Sequence, residues 1–289
     1  MIPTTTSTTR SVNGESGRDR VTAAIQLASA RTGVRFDYLL SQARIESSLN
    51  PNARARTSSA TGLFQFIEQT WLGMVKQHGA AHGLGWAADA IQRGRNGHYY
   101  VADPAMRRQI LDLRREPEAS SAMAAEFASD NGRYLQSRLG RPAEPVDLYL
   151  AHFLGAGGAA RFLRAHDSNP GAAAASMLPA AARANRAVFF NRDGSARSFA
   201  EIRAHFAGRM GVGGTAGASV RTADARPHPG FNLAALELDP LTGDPVERDP
   251  LDRDPLDVAL EAGRDRSSSP GTSPQLARMA YLMLARLGG

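Results

Sequence analysis

Glu46 sits in a segment whose apolar residues recur at helical spacing. Leu39, Ala43 and Glu46 fall at i, i+4 and i+7 on one stripe, and Tyr38, Gln42, Ile45 and Leu49 form the adjoining row. Asp37 is the expected N-cap, and Pro51 should stop the helix near Asn50. The spacing therefore predicts a helix that turns a carboxylate inward close to its own C-terminus. Such a group is ordinarily a salt-bridged structural residue. The other reading is a proton donor. An apolar site disfavours the charged carboxylate, and the partial negative charge of a helix C-terminus acts in the same direction.

Two further stretches bear on that choice. Fifteen residues after Ser47, "GLFQF" spans Gly62 to Phe66, following a loop of small and polar residues. Further on, "YLAHFLGAGGAARFL" (149–163) sets a helix end against a glycine turn and a second helix. Together, "ARIESSLNPNA…ATGLFQFIEQTW" resembles the Glu-Ser and Gly-Leu-Met-Gln motifs of the soluble lytic transglycosylases, a lysozyme-like family that cleaves peptidoglycan. "AHFLGAGG" stands where that family has Ala-Tyr-Asn-Ala-Gly, and "MAAEFASDNGRYL" (123–135) resembles its intervening helix. The likeness spans roughly residues 20–205.

The resemblance implies Glu46 as the catalytic acid and Ser47 as the motif serine. It puts Gly62 on the turn, Phe64 in place of the usual Met, and Gln65 on the substrate-contacting glutamine. In the third motif His152 stands at the Tyr, Phe153 at the Asn and Leu154 at the Ala, while Gly155 matches. His152 is either a substitute hydrogen-bond partner or a packed histidine. Trp71 and Trp86 are core or cleft-wall aromatics; Trp86, lying among glycines, is the better candidate for stacking on a sugar face. A typical glycosidase needs a second carboxylate at a defined separation. Asp37 and Glu68 both read more naturally as structural. A lone acid fits the lytic route, in which the same glutamate protonates the glycosidic oxygen of a MurNAc-GlcNAc linkage and then deprotonates the C6 hydroxyl, leaving a 1,6-anhydro end. The alternatives are a hydrolytic muramidase and a non-catalytic glycan-binding or assembly protein on the same scaffold.

The elements that must hold these residues are helical throughout. Helices are expected over 18–33, 37–50, 63–79, 103–117, 117–140, 144–155, 156–167 and 197–211, with 80–100 as a possible flap and no sustained strand alternation. The fold class is thus mostly α, a lysozyme-like domain over 18–210 after a polar tail (1–17). A flexible, Asp-Pro-rich linker (211–273) and a short amphipathic helix (274–289) follow. Asp-Pro recurs at 239–240, 244–245, 249–250 and 254–255, which excludes helix and central strand there.

Other chemistries find no support. The chain has 289 residues and no cysteine, which rules out thiolate chemistry and disulfides. Its histidines show no metal-binding spacing, and "GAGGAA" (155–160) lacks the strand and acidic residue of a dinucleotide site, so neither metal nor cofactor is expected. The net charge of +6 is uneven, basic over 1–210 and acidic beyond, and its basic residues are scattered without a dense Lys/Arg run, which argues against nucleic acid and fits a basic surface facing an anionic polymer. No stretch reaches the length of a membrane span. The N-terminus has no apolar signal region, yet peptidoglycan lies in the periplasm or cell wall. Export would then be non-classical, or the N-terminus incomplete. The C-terminal helix is read either as folding back on its own domain or as docking a component of a flagellar or injectisome-type secretion machine.

Overall fold

A computed structural model describes residues 9–56 and 58–211, with side chains described from residue 17 onward. The linker, Asp-Pro series and terminal helix expected after Gly211 lie outside the described residues. The described part is mostly α. Its order is α1 (Thr9–Thr32), α2 (Phe36–Ser47), α3 (Glu68–His78), α4 (Gly85–Ala90), β1 (Gln92–Arg93), β2 (Tyr99–Tyr100), α5 (Pro104–Asp112), α6 (Pro117–Leu139), α7 (Pro145–Ser168), α8 (Ala174–Met177), α9 (Pro179–Ala184), α10 (Arg186–Phe189) and α11 (Phe199–Met210). Short 3-10 turns follow α3 and α5. Helix α1 starts inside the stretch read as a polar tail. Once the packed turns from Val21 onward are formed, extension upstream needs no new nucleus.

Helix α6 is the central element and packs on α1, α3 and α7. Its buried residues include a run of small ones, Ser120, Ser121, Ala124, Ala125 and Ala128, beside the larger Met123 and Leu135. That lets α1 approach closely and seat Val21, Ile25 and Ala28 against it. Pro117 starts α6 and Gly140, at φ 72°, stops it.

Helix α7 begins at Pro145 with a capping box between Glu144 and Asp147. Asp147 is fully buried, and Arg141 and Arg203 donate to it. Gly155, at φ 71° and ψ 159°, breaks the helix where the glycine turn was expected. That backbone region is open essentially to glycine alone. The first half of α7 can therefore face the end of α2 while the second half continues at a new angle. Helix α11, opened by a Ser198–Glu201 capping box, packs on α7 and α2 and carries Phe206 against Tyr149 and Phe153.

Four local expectations are corrected. Arg35, not Asp37, occupies the N-cap of α2; Asp37 lies in the first turn and is held by the Arg35 guanidinium. Residues 63–66 are not helical; α3 begins at Glu68. An antiparallel hairpin, Gln92 opposite Tyr100 and Arg93 opposite Tyr99, occupies part of 80–100. The short helices α8 to α10 fill 174–189, for which no element was expected. Among the described residues no helix is long and apolar enough to cross a membrane.

Candidate active site

The inward stripe of α2 forms as its spacing requires: Leu39 and Ala43 are fully buried. The Glu46 side chain follows them inward, retaining only 6 % of its surface exposed. Helix α2 ends one residue later. Ser48 and Leu49 take left-handed backbone angles (φ 54° and 64°), and their N–H groups donate to Arg44 O and Ala43 O. This closes the helix ahead of Pro51 and places Glu46 in its last turn.

Tyr149, from the first half of α7, donates its hydroxyl to Glu46 Oε1 at 3.0 Å. The phenol is 1 % exposed. Burial, and then the charge of Glu46, push its ionisation well above that of an ordinary tyrosine, so it acts as a donor at any working pH. Tyr38, also buried and near Glu46, is pushed up by burial in the same way. His152 lies one turn along α7 from Tyr149. Its Nε2 is 3.4 Å from Oε1, without the alignment of a hydrogen bond, and neither ring nitrogen has another partner among the described residues. The ring leans on Phe127 of α6 (centroids 6.2 Å) and on Tyr149 (5.9 Å). Both neighbours thus converge on Oε1, and Oε2 is the oxygen that the described residues leave unengaged.

Residues 53–56 and 58–66 form a compact turn beside the end of α2. Thr61 bridges both Arg54 and Phe66, and Gly62 N donates to Ala53 O at 2.9 Å. Ser47 Oγ stands 2.9 Å from Leu63 O and 3.0 Å from Ala43 O, so its proton ties the turn to α2. The Gln65 amide nitrogen donates to Gly62 O (2.8 Å) and Ala53 O (3.3 Å), which leaves its carbonyl oxygen available, and Gln65 itself is at φ 48°. Gly62 has φ 86°, and a Cβ there would lie 1.9 Å from Arg114 O. Arg114, just beyond α5, is buried and donates to Ser59 O (2.8 Å), Phe66 O (3.1 Å) and Leu111 O (2.9 Å). Burial pushes its guanidinium down to about 10, so it stays protonated at neutral pH.

Of the residues singled out from the sequence, Glu46 and His152 meet directly. Ser47, Gly62 and Gln65 shape the turn next to them. Phe64 is fully buried and supports that turn from within the core, out of reach of a substrate. Trp86 is 45 % exposed on α4, an element packed chiefly on α3 and the 3-10 turn that follows it, and no described contact joins it to Glu46. Trp71 is a core residue whose indole donates to Ile110 O at 2.8 Å. Asp37 and Glu68 are each occupied by an arginine, Arg35 and Arg107. Sequence reasoning missed Tyr149 and Arg114. Tyr149 had a signal, since it lies three residues before His152 on one helical face. Arg114 had none, because its partners are backbone carbonyls distant in sequence. Among the described residues no group of three or more His, Asp or Glu is placed to hold a metal ion. No protein-family model matches the chain.

Proposed function

We propose that this chain is a lytic transglycosylase on a lysozyme-like helical scaffold, cleaving the MurNAc-GlcNAc β-1,4 bond of peptidoglycan. The observation that carries the reading is the state of Glu46. A single inward carboxyl group has one oxygen held by Tyr149, the other oxygen unengaged, and both carboxylates considered as partners tied up by arginines. A two-carboxylate mechanism needs a second acid or nucleophile at the same bond; a lone acid that serves twice does not.

In the proposed reaction Glu46 Oε2 delivers its proton to the glycosidic oxygen, and the C1–O bond breaks with GlcNAc leaving as the alcohol. Positive charge at C1 of MurNAc is then met by the newly formed Glu46 carboxylate. That carboxylate takes the proton from the C6 hydroxyl as O6 bonds to C1. The product is a 1,6-anhydro end, no water is consumed, and Glu46 regains its proton. Tyr149 fixes the carboxyl plane through Oε1, so that Oε2 is presented in one orientation. His152 lies beside Oε1, and the turn braced by Gly62 and Arg114 is tied to the end of α2 through Ser47.

Digestion of purified sacculi followed by mass spectrometry tests the reaction. Anhydro ends are lighter than reducing ends by one water. Reducing ends alone would assign hydrolysis, and no solubilisation would assign a non-catalytic scaffold. The proposed setting is local wall opening in the periplasm or cell wall for a flagellar or secretion machine.

A further inference from the structure

The His152 ring has no task in the proposed reaction. Its side chain keeps only 6 % of its surface exposed, and both ring nitrogens are buried without a hydrogen-bond partner among the described residues. A buried polar group left unpaired is costly unless another state of the site supplies its partner. Aromatic neighbours hold the ring instead: Phe127 of α6 meets it edge-on at 6.2 Å, and Tyr149 lies at 5.9 Å. Held this way, Nε2 stands 3.4 Å from Glu46 Oε1, about half an ångström beyond an ordinary N–H···O length.

A neutral imidazole carries a hydrogen on one nitrogen and a lone pair on the other. Oε1 accepts from the Tyr149 hydroxyl at 3.0 Å, so the proton that Glu46 transfers sits on Oε2. A lone pair on Nε2 would oppose the remaining lone pair of Oε1, whereas a hydrogen there is attracted to it. That attraction changes over the reaction. Against a neutral carboxyl group it is weak. Once the proton has left Oε2, Oε1 shares the negative charge, and a charge-assisted hydrogen bond is shorter and roughly twice as strong as a neutral one. An interaction that strengthens on the way to the transition state accelerates the chemical step. We infer that His152 is a positioning residue for Glu46: its Nε2–H closes on Oε1 as the carboxylate forms, a second donor beside Tyr149 that engages only while the glutamate is charged. The inference rests on the reaction proposed above. The other titratable and charged groups around the pair are Tyr38 of α2, Tyr149 of α7 and Arg209 of α11, whose charge acts on Tyr149; α6 presents Phe127, which does not titrate.

Two measurements on the full chain test this. The first is the pH dependence of anhydro-muropeptide release by wild type, His152→Phe and His152→Gln. Phenylalanine keeps a ring against Phe127 and Tyr149 but has no N–H, and the glutamine amide returns an N–H near the place of Nε2. His152→Phe should lose about tenfold in kcat at unchanged KM, the worth of one hydrogen bond to a charged group. The alkaline limb of its profile should move to higher pH, because a carboxyl group with one donor fewer holds its proton more firmly. His152→Gln should recover most of the rate. Equal rates in wild type and His152→Phe, a profile that only scales down, or no recovery in a His152→Gln that melts like wild type overturns the role. The second measurement needs no substrate. Long-range proton–nitrogen NMR correlations of the histidine-labelled chain report which nitrogen bears the hydrogen, the His152 signal being the one lost in His152→Phe. Nε2 should bear it, and its proton should shift downfield as Glu46 ionises, a shift absent from Glu46→Gln. A hydrogen on Nδ1, or the same shift in Glu46→Gln, overturns the inference. Uncut sacculi together with an Nε2–H that senses Glu46 would sink the reaction and spare the contact; cut sacculi with an Nδ1–H ring would do the reverse.

Discussion

Tyr149→Phe removes one oxygen and keeps the ring. That ring packs between Phe206 at 5.3 Å and His152 at 5.9 Å, so the core around it should close unchanged. The loss is the 3.0 Å hydrogen bond to Glu46 Oε1. A hydrogen bond to a charged group contributes about 1.5–3 kcal/mol, which corresponds to roughly 10- to 100-fold in rate if all of it serves to orient the acid. The phenol has no other described partner, so the effect on folding should be smaller, about 1 kcal/mol or less. The assay is the initial rate of release of anhydro-ended muropeptides across sacculus concentrations, with thermal unfolding run in parallel. Because Tyr149 sits behind the carboxyl group, the loss should fall on kcat and leave KM in place. A variant within twofold of wild type, or one whose defect lies in KM alone, would refute the orienting role.

Gly62→Ala should fail to fold or lose more than about 3 kcal/mol in urea titration, since its Cβ would overlap Arg114 O at 1.9 Å and its φ of 86° is unfavourable to any side chain. His205 is exposed as a residue, yet partial desolvation of its ring, and then Arg197 and Arg209, hold it below its ordinary 6.5. The unfolded chain therefore takes up the proton first, so the contribution of the neutral ring is complete above pH 6.5 and is lost as pH falls toward the folded value. The melting temperature should decline through that window, and His205→Gln should flatten the decline; an equally steep decline in the variant would remove His205 as its source. Truncation after Gly211 should leave sacculus cleavage unchanged while abolishing localisation to a wall-spanning machine; loss of purified activity would instead assign 212–289 to the catalytic domain.

The features legible in the sequence are those set by short-range periodicity. The α2 stripe with Glu46, the glycine break in α7 and the boundaries of α6 follow from spacing and from Pro117, Gly140 and Gly155. Residues 63–66 were misread because Leu-Phe-Gln-Phe looks like the opening turn of the helix that follows. What keeps it out of a helix is tertiary: Arg114 draws on Ser59 O and Phe66 O, and its own carbonyl occupies the space beside Gly62. The hairpin at 92–100 carries an Asn96-Gly97 turn signal, but two-residue strands are too short to alternate. Asp37 lost the N-cap because Arg35 already has the non-helical angles of a cap (φ −58°, ψ 131°) and clamps the carboxylate within the first turn. Of the candidate site, the inward Glu46 carboxyl group and the position of His152 on α7 were legible. Tyr149 was signalled only by its place three residues before His152 on one helical face, because its partner, Glu46, is distant in sequence.

The most direct test of the central claim is the muropeptide profile of sacculi digested with wild type and with Glu46→Gln. The substitution keeps the shape of the side chain and an oxygen that can accept from Tyr149, but it removes the transferable proton. The wild type should release anhydro-ended muropeptides, and Glu46→Gln should release none above the undigested control while melting within a few degrees of wild type and binding tetra-N-acetylchitotetraose as tightly. Anhydro products formed by Glu46→Gln at the wild-type rate would contradict the account.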